Sequence, residues 1–415
     1  TYVPEIGGTH NVTVYAQDMP PESNVNFTFV GEFLVWGKTE GIVVNAPDVI
    51  TASGITQTNG FMFDLIVNYT NLGPARAYGV NLTIYSSSPQ YVSYNDTFHS
   101  CGTLAVNETC TWPIKVTILP KTPPILIVLY TNGSWRNPDN TYNFTIDTTN
   151  VIVAENPVID IIEEKLEGIT PHDKTTYVGN VTVASVGNYR VTDIVVSLVG
   201  GNLALDCPEC EVVLFPDTQG VLEPGENFTV DVTVTVPAGQ SPGIYWSKIR
   251  ASSSNAGYDE ALLNLTVPKN DSWTRTPETF GVILAPLNTT GKVGEIRIDN
   301  IGNVKLSFAL YATQDAAPFI TITPPAFDLE KQVDRNASVT FTIPEDATEG
   351  LYYGEVSIWA SETDTGESAT PQSRIVNFTL NITDVPPTIR VLQVSPTIFE
   401  ILYENVTIVA NITDN

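Results

Sequence analysis

Eighteen asparagines stand two residues ahead of a serine or threonine with no proline between, the pattern that accepts an N-linked glycan. They are Asn11, Asn26, Asn68, Asn81, Asn95, Asn107, Asn132, Asn143, Asn180, Asn227, Asn264, Asn270, Asn288, Asn336, Asn377, Asn381, Asn405 and Asn411. One such triplet arises easily by chance in a threonine-rich strand. Eighteen in 415 residues point to an exported, glycosylated chain. The cysteines form two local pairs, Cys101 with Cys110 and Cys207 with Cys210. In an oxidising compartment these read as two short loop staples. Four thiolates around zinc are the alternative. A redox Cys-x-x-Cys would want a strand leading into a helix, and LDCPECEVVLF leads into a strand.

Other chemistry is sparse. His10, His99 and His172 are scattered, and there is no H-E-x-x-H, G-x-S-x-G or phosphate-binding G-x-x-x-x-G-K. The chain therefore reads as a non-enzyme with no cofactor beyond its glycans. Two acidic turns have the oxygen ligands that calcium wants: Glu362, Asp364 and Glu367 in SETDTGES, and Asp217, Glu223 and Glu226 in FPDTQGVLEPGEN. No EF-hand or nonapeptide repeat supports either, and solvated hairpin turns are the favoured reading of both. A net charge of -27 repels nucleic acid and keeps the surface soluble. No apolar run reaches the roughly 18–20 residues that span a bilayer. PPILIVLY at 123–130 is of strand length, and the start lacks the basic and apolar segments of a leader, as in a mature or trimmed chain.

The elements that would carry the glycans follow from a shared period. In NFTLNITD, Asn377, Thr379, Asn381 and Thr383 alternate with Phe378, Leu380 and Ile382. A strand turns successive side chains to opposite faces, so acceptors lie on a wet face while the apolar partners face a core. The same reading covers Asn11, Asn26, Asn68, Asn81, Asn143, Asn180, Asn227, Asn264, Asn405 and Asn411. Asn95, Asn107, Asn132, Asn270, Asn288 and Asn336 have small or polar middles and read as loops or strand ends. By the same alternation Trp112, Trp246 and Trp359 are core residues, whereas Trp135 and Trp273 fall in loops open to solvent.

A strand, a turn with glycine and a second strand recur at VNYTNLGPARAYGVNLTIY, VTVASVGNYRVTDIVVSL and IRIDNIGNVKLSFALY, with Gly73, Gly187 and Gly302 separated by 114 and 115 residues. Glycine suits a turn that needs positive φ. A second block, LEPGENFTVDVTVTVPAGQSPGIYWSKIRASSS, aligns with DLEKQVDRNASVTFTIPEDATEGLYYGEVSIWAS; it matches Pro237 to Pro344, Gly243 to Gly350 and Tyr245 to Tyr352. In the first repeat this block is degraded, with Cys101 and Cys110 flanking its turn. The blocks resemble the tandem immunoglobulin-like, CARDB-like repeats of archaeal S-layer and cell-surface glycoproteins. That resemblance implies an all-β fold, antiparallel β-sandwich domains in an elongated array, at the cell surface and without catalysis.

The expected domains are 43–154, 155–272 and 273–385, joined through NPVIDI and Asn270 to Pro277. Residues 1–42 read as the closing strands of one sandwich and 386–415 as the opening strands of another. Neither closes a core alone. Strand complementation between copies would complete them and build a homopolymer, with cell-surface glycans or S-layer proteins as further partners. A slice of a longer repeating protein fits the same ends. The expected role is a structural subunit of an extracellular assembly, or else an adhesive or accessory stalk.

Overall fold

A computed structural model describes residues 8–17, 25–35, 38–384, 388–395 and 407–413, with side chains described over 38–384. Among these the regular structure is almost wholly strand; the helical pieces are Leu203–Asp206, Pro89–Tyr91 and Ala317–Phe319. The described residues contain three tandem immunoglobulin-like sandwiches.

The second sandwich shows the plan. One sheet runs, edge to edge, through Ile159–Ile161, Lys174–Ser185, Asn227–Val236 and Glu211–Phe215. The other runs through Lys165–Ile169, Gly257–Val267, Gly243–Ser253, Val191–Val199 and Thr218–Leu222. The chain enters one sheet at Ile159–Ile161 and crosses at once to the other, so the opening stretch ties the two layers together. Pairing is antiparallel except at that crossing, where Lys165–Ile169 lies parallel to Gly257–Val267. The first and third sandwiches repeat this order strand for strand, including the parallel pair.

The β-branched alternation builds the core. Val181, Val183, Val230, Val232 and Val234 on one sheet are fully buried, as are Ile249, Ala251, Leu263 and Leu265 on the other. Each such valine or leucine contributes about 1.5–3 kcal/mol by leaving water. The first sandwich departs from this pattern. Tyr69 stands four residues before the turn glycine, where the others have Val183 and Ile298. Its ring occupies space left by Gly41 and Gly133, and its buried hydroxyl has no partner.

Several expectations are corrected. Trp135 and Trp273 lie in strands Leu126–Arg136 and Trp273–Thr276 and are buried; Trp246 and Trp359 face outward instead, while Trp112 is a core residue as expected. Trp273 Nε1 reaches the core by donating to the Pro371 carbonyl at 2.6 Å, so burial leaves no polar atom unpaired. Asn132 lies inside Leu126–Arg136 rather than in a loop. Gly73, Gly187 and Gly302 do not have positive φ, so freedom in φ is not why glycine stands there.

At the ends, Gly8–Gln17 pairs antiparallel with Val25–Val35, and Thr388–Ser395 with Thr407–Thr413. Asn11, Asn26, Asn411 and His10 lie on these strands, with side chains outside the described residues, and Asn405 is outside them altogether. What those strands pack against likewise lies outside the described residues.

Leu265→Ala opens a cavity in a closed core and should cost about 2–5 kcal/mol. Leu351→Ala, at a position 60% exposed, should stay within about 0.5 kcal/mol. Urea denaturation of the two variants checks the facing of both strands.

Candidate glycan-bearing faces and domain junctions

The strand Ser368–Thr383 carries the acceptor pattern on one face. Phe378, Leu380 and Ile382 are buried, whereas Asn377, Thr379, Asn381 and Thr383 look outward. The same division holds at Asn68, Asn81, Asn180 and Asn264, whose following residues Tyr69, Leu82, Val181 and Leu265 are fully buried. At Asn227 the following Phe228 is half-buried against the core. Asn143 reverses the rule. Thr149, Val151 and Val153 point inward and fix the parity of Tyr142–Val153, which turns Phe144 and Ile146 to solvent and sets Asn143 on the core-facing side, beyond the end of the core. The stretch stays polar inside because Asp147 accepts the Asn45 backbone N–H at 2.7 Å.

Accessibility divides the acceptors further. The side-chain amides of Asn81, Asn107, Asn143, Asn227, Asn264, Asn288, Asn377 and Asn381 make no hydrogen bond among the described residues, and Asn68 and Asn95 use only their carbonyl oxygens. Asn180 donates to the Tyr177 hydroxyl, and Asn336 donates to Glu295. Asn132 Oδ1 is buried and unpaired, and Asn270 Nδ2 is held 2.8 Å from His172 Nε2.

Both cysteine pairs are disulfides, with Cα separations of 5.9 Å for Cys101–Cys110 and 5.3 Å for Cys207–Cys210. They lie in different sandwiches and leave no thiolate, which removes the zinc alternative. His99 stacks on Trp112, 5.8 Å between ring centres, beside the first bridge. Asp217 and Glu223 flank the extended strand Thr218–Leu222. A strand of that length holds them about 20 Å apart, too far to share one ion. Glu226 instead accepts the Glu223 backbone N–H at 3.0 Å. In the other acidic turn, Lys269 Nζ sits 2.6 Å from Glu367 and 3.5 Å from Glu362. The hydrogen bond to Glu367 raises the ammonium above its ordinary value. A cation from the chain itself thus already sits between two of the proposed ligands.

The residues that sequence reasoning missed lie between sandwiches. Asn188, buried in the turn after Lys174–Ser185, receives the Asn156 N–H on Oδ1 at 2.8 Å and returns its own N–H to the Asn156 carbonyl at 3.1 Å. Its Nδ2 donates to the carbonyls of Ala154 and Thr122, both at 3.1 Å. One repeat later, Asn303 receives the Asn270 N–H at 2.7 Å and returns a bond at 2.8 Å; its Nδ2 donates to the Pro268 carbonyl at 3.0 Å. Gly187 and Gly302 lie against the carbonyls of Asn156 and Asn270 so closely that a Cβ on either would collide with them. Glycine stands in these turns because the linker passes over it. The visible signal was Gly-Asn recurring at 187–188 and 302–303; in the first repeat Pro74 replaces the asparagine.

The second junction includes the buried His172, whose Nδ1 accepts the Gly239 N–H at 3.3 Å and whose Nε2 meets Asn270. Burial holds its pKa below the ordinary imidazole value, with Asp173 opposing and Lys174 assisting.

No protein-family model matches the chain, and no curated protein matches it. Solved structures similar to it include extracellular repeats 1–4 of protocadherin gamma B3, at 11% identity over 92% of this chain and 84% of that one, with a TM-score of 0.31. Extracellular repeats 22–24 of mouse cadherin-23 match at 14% identity over 83% and 100%, with a TM-score of 0.32. Repeats 1–4 of Drosophila N-cadherin match at 11% over 92% and 85%, with a TM-score of 0.29. Superposition at that level is loose, and the architecture rests on this chain's own sheets.

A folded-state pKa below the unfolded value means that the unfolded chain binds the proton first as pH falls. His172 should therefore cost no stability well above the unfolded value of about 6.5, and stability should be lost progressively as pH drops below it. Thermal denaturation between pH 7.5 and 5 should show a fall that His172→Gln makes shallower.

Proposed function

We propose that the chain is a structural subunit of an extracellular glycoprotein assembly, a sugar-clad spacer of the kind that builds a surface layer or filament. The observation that carries this reading is the asparagine bracket repeated at both junctions. Domains joined only by a tether move independently. Here each linker is gripped by buried, mutually bonded amides, and an unpaired buried amide would cost about 1–3 kcal/mol. Force applied along the chain is thus met by ordered backbone at the joints as well as by the sandwich cores. Two disulfides suit an oxidising exterior. The acidic surface and the glycans keep the outer faces wet.

In this reading the partners are further copies of the chain, joined where terminal strands complete one another's sheets and hide their edges, with cell-surface glycans or neighbouring S-layer proteins around them. An archaeal surface is the setting that the sequence resemblance implies. The same brackets would serve a stalk that presents a separate binding domain.

Electron microscopy of native material distinguishes these readings. A regular polymer or lattice with one axial repeat is expected; monomers at all concentrations that bind a ligand would replace the subunit reading with the stalk. In small-angle scattering, the double variant Asn188→Ala, Asn303→Ala should shorten and broaden the distance distribution while each sandwich stays folded.

A further inference from the structure

The outer sheet faces carry more than acceptors. In the second sandwich Asn264 lies directly opposite Trp246, which is 38% exposed, and Thr266 lies between Ile244 and Ile169, 65% and 67% exposed. In the third, Asn381 lies between Leu351 and Leu284, 60% and 57% exposed, and Thr379 lies between Tyr353 and Val282, 63% and 68% exposed. Anchoring the two sandwiches at Gly243↔Val267 and Gly350↔Ile382 aligns Trp246 with Tyr353, Ile244 with Leu351 and Ile169 with Leu284. A similar apolar patch is therefore built twice around a polar strand, with the acceptor shifted by two residues. Asn264 aligns with Thr379 and has Trp246 on one side and Glu167 on the other, while Asn381 aligns with Thr266 and has a leucine on each side.

An exposed apolar patch of this kind ordinarily marks a surface that something covers. The occupant is indicated by the register. Directly opposed residues have Cβ atoms about 4.5–5.5 Å apart, so the first sugar on Asn264 or Asn381 emerges among these side chains. Both amides are free of hydrogen bonds among the described residues. A hexosamine presents axial C–H groups on the faces of its ring and hydroxyls around its edge, which matches an aromatic or aliphatic surface below and water at the rim. We propose that the N-glycans on Asn264 and Asn381 lie down on these patches, the first on Trp246 with Ile244 and Ile169, the second on Tyr353 with Leu351 and Leu284. The sugar is thereby part of the sheet surface, shielding apolar rows that would otherwise stick to other copies. This inference rests on the glycosylated reading above.

The test uses the native glycoprotein, Asn264→Gln, and Thr266→Ala, which abolishes the acceptor triplet while keeping the asparagine. Glycopeptide mass spectrometry reports occupancy of Asn264. Acrylamide quenching, taken as the difference from a Trp246→Phe background, reports access to Trp246. Occupied Asn264 with quenching at Trp246 rising roughly twofold in both variants is the expected result, since one face of a large indole surface would be uncovered. Occupied Asn264 with unchanged quenching overturns the inference and leaves glycosylation standing. A bare Asn264 overturns both.

Discussion

A β-strand turns its side chains to opposite faces at each step, and the rest of this molecule depends on that period of two. It allows nine short strands per sandwich to place aliphatic residues inward without consuming the positions that meet water. It also lets an acceptor asparagine and its threonine share the wet face with the core residue between them. Where a run of inward residues fixes the parity, as Thr149, Val151 and Val153 do, the acceptor upstream has no choice of side, and Asn143 ends on the core-facing one.

The second constraint acts between sandwiches. A sheet can close on its partner sheet and still leave its neighbours free to swing. The turn glycines let the linker lie against the sandwich, and the asparagine beside each one takes hold of it from both backbone and side chain. Because the bracket recurs after one repeat, orientation at one joint is set by the same chemistry as at the next. His172 adds a proton-sensitive element to the second joint only. At that joint an amide that could have accepted a sugar holds an imidazole instead.

Much of the fold was legible because alternation and repetition are local signals. The paired strands around Gly187 and Gly302 and the faces of Ser368–Thr383 were visible from spacing alone, and the two cysteine pairs from spacing read in an oxidising compartment. The rest depended on information that spacing does not hold. Trp246 and Trp273 are each one tryptophan in a polar-apolar run, and which face is inward is settled by cross-strand partners far along the chain. Residues 131–135 look like a glycine-containing loop, yet Gly133 makes room for the Tyr69 ring inside a strand. The turn glycines were recognised for a freedom in φ that they do not use; their reason is a linker that approaches only in three dimensions. Lys269 is invisible as a partner of Glu362 because almost a hundred residues separate them.

The most direct test of the account is site-resolved glycopeptide mapping of native protein across all the described acceptors. Sugars on the outward asparagines Asn68, Asn81, Asn264, Asn377 and Asn381, whose amide nitrogens are unbonded, are what a sheet wetted on one face predicts; Asn132, with its buried Oδ1, and Asn270, held against His172, should be bare. Unmodified asparagine at the outward sites, or sugars distributed without regard to face, would contradict it.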